Sequence, residues 1–457
     1  MLDEKILGMK DAIIKCVQDC VKIKSVEEES KDGMPFGEGV HECLKYCLRL
    51  SKSLGFNTIN VDNMIGYAEY GEGDEMIAVL GHLDVVPEGD GWTYPPYGAE
   101  IHNGKIYGRG TTDDKGPTIG ALYALKAIKD LNIPLKRRVR IFFGLNEETG
   151  SKCVKHYIDK GGEIPVAGFT PDAEYPIING EKGIVTCKYI RKLIQEGDLI
   201  LKSINGGIAA NVVPDYAEAE IMVQKQSIEE IINLAQENND IKIEVKDNSI
   251  IIKYYGISAH GSTPEAGKNA ITHLLSFLGK LDFTGDIKDF LDFYNKYIGN
   301  ELNGHSLGIY LEDDISGKFI FNLGKINGNK NEISLDINMR YPVKKSYDDF
   351  IDTFKEKMGY GKLQEVFTRH KKSLYVSPET EFIKKLQKVY ENYFDEKAEL
   401  ISIGGGTYAK AMDNIVAFGP IFKGQPMVEH KPDEYIEIGS LIKNVQVMAA
   451  AIRELAN

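Results

Sequence analysis

The sequence predicts an α/β protein built on a mostly parallel sheet, a first domain interrupted in the chain by a second of α+β type. Three observations lead there. Between the first ~50 residues and about residue 183, strand and helix patterns alternate, as parallel β-α-β units require. From 183 to 375 the apolar residues follow a period of two, interleaved with helices, which suits a sheet with one solvated face. From 376 the alternating texture returns. The first domain is therefore expected over 1–182 and 376–457, and the second over 183–375. At 457 residues the chain has room for both, and 42% hydrophobic content supports a sizeable core.

The first ~50 residues are expected to form two helices, broken where acids and glycines cluster in EEESKDGMPFGEG. TINVDNMIGYAEYG and DEMIAVLGHLDVV carry strand patterns, and GPTIGALYALKAIKDL is a helix opened by Pro117 near its first turn. VRIFFGLNEETG has the continuous apolar run of a strand buried on both faces. In the insertion, EAEIMVQKQ, IKIEVKDNSIIIKYYG and EISLDINMRYP alternate as strands, while SIEEIINLAQE and NAITHLLSFLGKL are helical. The chain closes with the helix ETEFIKKLQKVYENYF, the segment GGGTYAKAM and the helix GSLIKNVQVMAAAIREL.

Fifty-five basic against 68 acidic residues give a net charge of −13, which excludes nucleic acid and anionic membrane as main partners. No apolar run approaches a membrane span, and the first residues lack the pattern of a signal peptide. Cys16 and Cys20, and Cys43 and Cys47, lie at i,i+4 on helices. Structural zinc is usually held by tight C-x-x-C knuckles, so these are expected to be buried free thiols, and the chain cytoplasmic and without structural disulfides.

Five segments carry chemistry. GHLDVV ends a strand with His82 and Asp84, two residues apart and so on one face of an extended backbone. GRGTTDDKGP holds Asp113 and Asp114, GLNEETGS holds Glu147 and Glu148, FTPDAEYP holds Asp172, and MVEHKPDEY holds His430. Four of the five follow successive strand ends, where open α/β sheets build their sites. Mixed imidazole and carboxylate ligands suit two divalent cations, zinc first, with manganese or cobalt as alternatives. Two close cations need a bridging carboxylate. Adjacent Glu147 and Glu148 point in opposite directions, so one can bind metal while the other faces a bound water. Asp84 is expected to hold the His82 ring and fix its tautomer.

The segments GHLDVVPEGDGW, GRGTTDDKGP, NEETGS, TPDAEYPIINGEKG, SAHGSTPEAGKNA, GGGTYAKAM and EHKPDEY resemble the two-metal (dizinc) peptidase family that includes acetylornithine deacetylase, succinyl-diaminopimelate desuccinylase and aminoacylase. Within it the resemblance is to the bacterial PepV-type (Xaa-His or carnosinase-like) dipeptidases, over essentially the whole chain. The resemblance implies that Asp113 bridges the metals. His82 and Asp172 would complete one ligand set, and Glu148 and His430 the other. Glu147 would be the general base. Asp114 falls at a variable position of the family pattern. Glu174 competes with Asp172 as ligand, and motif alignment favours Asp172.

The insertion would be a ferredoxin-like lid. There His260 would stabilise an oxyanion, and Asn211 and Arg340 would hold substrate, Arg340 through a planar fork suited to a carboxylate. The run Gly404, Gly405 and Gly406 precedes an expected helix start, whose bare N–H groups could cradle the substrate's carboxylate. The implied activity is hydrolysis of small dipeptides by a monomer, with an N-acyl amino acid deacylase as the nearest rival. A non-catalytic metal-binding homologue should lack a ligand or the base, and none is missing. An NAD-binding oxidoreductase needs a G-x-G-x-x-G turn after the first strand of the sheet, which is absent.

Overall fold

The computed structural model describes residues 1–223, 228–236 and 238–457. The chain divides into two compact units: Met1–Asn179 with Val376–Ile401 and Gly406–Asn457, and Gly180–Tyr375 with Ser402–Gly405. Among the described residues no helix is long and apolar enough to cross a membrane.

The first unit is built on a mixed sheet with a parallel centre. From one edge the strands run Asn57–Val61, Ile65–Tyr70, Arg138–Gly144, Met76–His82, Ala167–Thr170 and Ile415–Ala417. The last four are parallel to one another, and the first two form an antiparallel hairpin at the edge. Met76–His82 is buried at every position, the signature of a strand covered on both faces. The helices Lys115–Asp130 and Ile438–Leu455 pack on each other. Along Lys115–Asp130 nearly every residue from Lys115 to Ile128 is buried, so this helix is apolar on most sides. The expected first helix is interrupted at Gly8 and Met9, giving Leu2–Leu7 and Lys10–Val21 ahead of Glu38–Ser53.

The second unit is an eight-stranded sheet, antiparallel throughout, wider than one β-α-β-β-α-β unit. Gly183–Lys192 alternates buried and half-buried positions along nearly its whole length. Its apolar positions join a core with the helices Ile228–Gln236, Ala270–Leu278, Gly285–Tyr297 and Ile351–Tyr360. The expected strand EAEIMVQKQ is found as Tyr216–Val223 and the expected helix SIEEIINLAQE as Ile228–Gln236. The remaining ends of both segments fall outside the described residues. Ser402–Gly405 also belongs to this unit, a short return that no periodicity marks.

Candidate metal centre

The strand Met76–His82 delivers His82 to the end of the parallel sheet, beside the end of Arg138–Gly144. Each strand carries a glycine at or next to its end, where the backbone must be approached. A Cβ on Gly81 would lie 2.0 Å from Thr118 Oγ1, and one on Gly144 would lie 1.9 Å from Tyr408 Oη. Asp113 comes from the loop before the Lys115–Asp130 helix, Asp172 from the turn after Ala167–Thr170, and His430 from a loop where its φ is +61°.

These residues form two sets that share one carboxylate. His82 Nε2 lies 2.9 Å from Asp113 Oδ1 and 3.8 Å from Asp172 Oδ1. His430 Nε2 lies 2.9 Å from Asp113 Oδ2 and 3.2 Å from Glu148 Oε1. In each set one ligand-type atom per residue falls within 4.8 Å of the others. Buried His82 Nε2 and Asp113 Oδ1 are close yet make no well-aligned hydrogen bond, as expected of lone pairs aimed at a common cation. Glu174 is exposed and belongs to neither set.

Burial pushes Glu147 up to about 8, with Asp172 adding to the effect, and it also raises Asp114, Asp172 and Glu148. For His82, burial opposes the charged form, but the neighbouring carboxylates of Asp113, Asp172 and Asp84 hold its pKa well above the usual value. Contacts with Asp113 and Glu148 raise His430 to about 11. Such mutual crowding of buried acids marks a site short of positive charge. Divalent cations would supply it and reverse these shifts. The donor set of imidazoles and carboxylates therefore fits two divalent ions.

Asp84 is placed differently from the sequence expectation. Its main-chain oxygen, 3.0 Å from His82 Nδ1, is the ring's nearer partner, and the carboxylate lies 3.6 Å away. That carboxylate instead accepts from the backbone N–H groups of Glu147 and Glu148, each at 3.1 Å. It fixes the turn that carries both glutamates.

Two further acids support the centre: Asp114, named in the sequence but given no role there, and Glu434, which no motif marked. Asp114, fully buried, accepts from His82 N at 3.1 Å and Thr118 Oγ1 at 3.0 Å, so it braces the strand end from beneath. Glu434, also fully buried, accepts through Oε1 from the N–H groups of Gly110, Thr112 and Asp113. Its Oε2 pairs with Arg109 at 2.7 Å. The Asp113 loop is thus moulded around a carboxylate more than 300 positions away in sequence. For Asp114, Thr118 one helical turn later was a signal; for Glu434 there was none.

The other expected site residues lie in the second unit, where several of them meet. Val212, next to Asn211, pairs with His260, and Gly261 N–H donates to Asn211 O at 2.7 Å. Ser262 N–H lies 3.3 Å from His260 Nδ1, which leaves Nε2 as the ring's donor. Burial, then the charge of Arg340, lowers the pKa of His260. Arg340, 3% exposed, donates to Asn338 Oδ1 at 3.1 Å and to Gly404 O. Burial brings its pKa to about 10. A Cβ on Gly404 would lie 2.9 Å from that of Ser262, so glycine is needed for this approach. The expected helix start after Gly404, Gly405 and Gly406 is instead one short 3₁₀ turn, Tyr408–Ala411, capped by Thr407. Its few N–H groups make no helix-dipole cradle, and Tyr408 N–H is directed at Asp172 Oδ2 at 3.3 Å.

Residues 78–454 match the model of Peptidase family M20/M25/M40. The chain is 41% identical over 463 residues to a Bacillus subtilis (strain 168) protein named "Putative dipeptidase YtjP", covering 99% of each. Two solved structures share the fold at 15% identity. Human carnosine dipeptidase 1 has a TM-score of 0.59 over 100% of this chain and 98% of its own. A Staphylococcus aureus tripeptidase has a TM-score of 0.60 over 98% of each. With a family match across most of its length and a full-length relative above 40% identity, the chain belongs to Peptidase family M20/M25/M40.

Proposed function

We propose that the protein is a dipeptidase that hydrolyses unmodified dipeptides at a two-metal centre, with Glu147 as general base. The observation that carries this reading is Asp113, whose two oxygens face His82 and His430 separately, so that two ligand sets share one carboxylate. His82, Asp113 and Asp172 would hold one cation, and Asp113, Glu148 and His430 the other, with zinc favoured over manganese or cobalt by the mixed ligand set. When bound, such ions would supply Lewis acidity, lowering the pKa of a water and polarising the scissile carbonyl.

Glu147 takes the proton of the attacking water and passes it to the leaving amine. Asp84 holds the Glu147–Glu148 turn in place through two main-chain hydrogen bonds. We assign the first unit as catalytic and the second as the substrate-binding lid. In the lid, Arg340 is a buried guanidinium whose side-chain partners are neutral, an arrangement suited to a substrate carboxylate. His260 offers an Nε2–H to an oxyanion, and Asn211, Gly404 and Gly405 line the same neighbourhood of that unit. The six free cysteines fit a reducing compartment, the cytoplasm.

Dipeptidases and tripeptidases share this fold, so chain-length preference comes from the clamp on the substrate's ends. Steady-state rates on a dipeptide, its one-residue extension and N-acetyl amino acids test the proposal. Hydrolysis confined to the dipeptide is expected. Equal rates on the tripeptide would remove the clamp, and preference for acetylated amino acids would make the protein a deacylase.

A further inference from the structure

We propose that Cys20, Cys43 and Cys47 form a separate, sulfur-ligated site for a thiophilic divalent cation, zinc above all. Cys20 lies in the last turn of the Lys10–Val21 helix, and Cys43 and Cys47 lie one turn apart on Glu38–Ser53. All three are fully buried. Cys20 Sγ is 3.6 Å from Cys43 Sγ and 4.0 Å from Cys47 Sγ, and the three sulfurs fall within 4.8 Å of one another. A tetrahedral zinc ion with Zn–S bonds of about 2.3 Å sets its sulfur ligands about 3.8 Å apart. The two distances bracket that value.

Free thiols also pack as small apolar groups, so spacing alone does not decide. Charge does. Lys115 is fully buried within electrostatic range of Cys20 and Cys43, and its described hydrogen bond goes to a neutral acceptor, Ile23 O, at 2.6 Å. A buried cation needs a compensating negative charge. Three thiolates with one divalent ion carry a net charge of −1, which Lys115 neutralises. A monovalent ion on the same thiolates would leave −2. Loading the site forms three metal–sulfur bonds and releases the protons of those thiols still protonated.

Of the four helix-spaced cysteines, Cys16 stays outside the cluster, 3.2 Å from Tyr123 Oη. Ser25, whose hydroxyl is in range of Cys43 and donates to Leu83 O at 2.6 Å, supplies an oxygen donor beside the sulfurs. The site would join the two helices and brace the chain after His82, a structural role distinct from the chemistry at Asp113.

Cobalt substitution tests this without reference to activity. Protein stripped of metal and loaded with Co²⁺ should show an intense near-ultraviolet thiolate-to-cobalt charge-transfer band, which histidine and carboxylate ligands do not produce. Cys20→Ala and Cys47→Ala should each lose the band and one metal equivalent per chain. A cobalt-loaded wild-type protein without the band overturns the proposal, and that spectrum stands even if a variant fails to fold. A band that survives in folded Cys20→Ala and Cys47→Ala protein overturns it equally. Loss of activity with the band intact would instead count against the two-metal reading alone.

Discussion

Glu147 and Glu148 are adjacent in sequence, share one main-chain clamp in Asp84, and are assigned different work. Glu147→Gln preserves size but removes the base, so turnover should fall by ~10²–10⁴-fold while metal content and KM stay near wild type. Glu148→Gln exchanges a charged ligand for an amide, so one ion should bind weakly and activity should recover in part with excess metal. Elemental analysis beside steady-state kinetics separates the two, and the opposite pattern would swap the roles. Arg340→Ala should raise KM by roughly 10- to 150-fold, the worth of about 1.5–3 kcal/mol for hydrogen bonds to a charged group. An unchanged KM would remove Arg340 from substrate binding. His82, Asp113, Glu147, Glu148 and Asp172 could be singled out in the sequence because strand ends mark where α/β sheets place side chains, whereas His430, in a loop, took its role from the family resemblance. Glu434 could not be singled out. It does its work by accepting backbone N–H groups, and nothing local in sequence records which N–H a distant carboxylate will meet.

At the scale of elements, the loop carrying Asp113 shows how much of the centre depends on support from outside it. Glu434 gathers three N–H groups of that loop and pairs with Arg109, whose guanidinium also stacks 5.2 Å from the Trp92 ring. Removing the charge from one partner of a buried ion pair typically costs ~3–5 kcal/mol. Glu434→Gln should therefore lower the melting temperature and weaken metal binding, as read by calorimetry and metal titration. Unchanged values for both would show that the loop holds its shape unaided. Parallel strands with long apolar runs, such as Met76–His82 and Arg138–Gly144, were legible because burial on both faces leaves a continuous signal. GGGTYAKAM was misleading: glycines before a capping Thr407 look like a helix start, but the segment turns once and ends. The break at Gly8 and Met9 was equally hidden, since the apolar spacing continues across it.

Across the whole molecule, an interrupted α/β domain and an α+β insertion were visible as a change of period, from continuous apolar runs to strict alternation and back. The assignment of Ser402–Gly405 to the second unit was not, because a few residues carry no period at all. We propose that the paired ligand sets around Asp113 make this protein a metal-dependent dipeptidase. It is tested most directly by following hydrolysis of an unmodified dipeptide while the protein is stripped with a strong chelator and then titrated with zinc, manganese or cobalt. Activity should disappear on stripping and return as metal is restored. Full hydrolysis by the metal-free protein would contradict it.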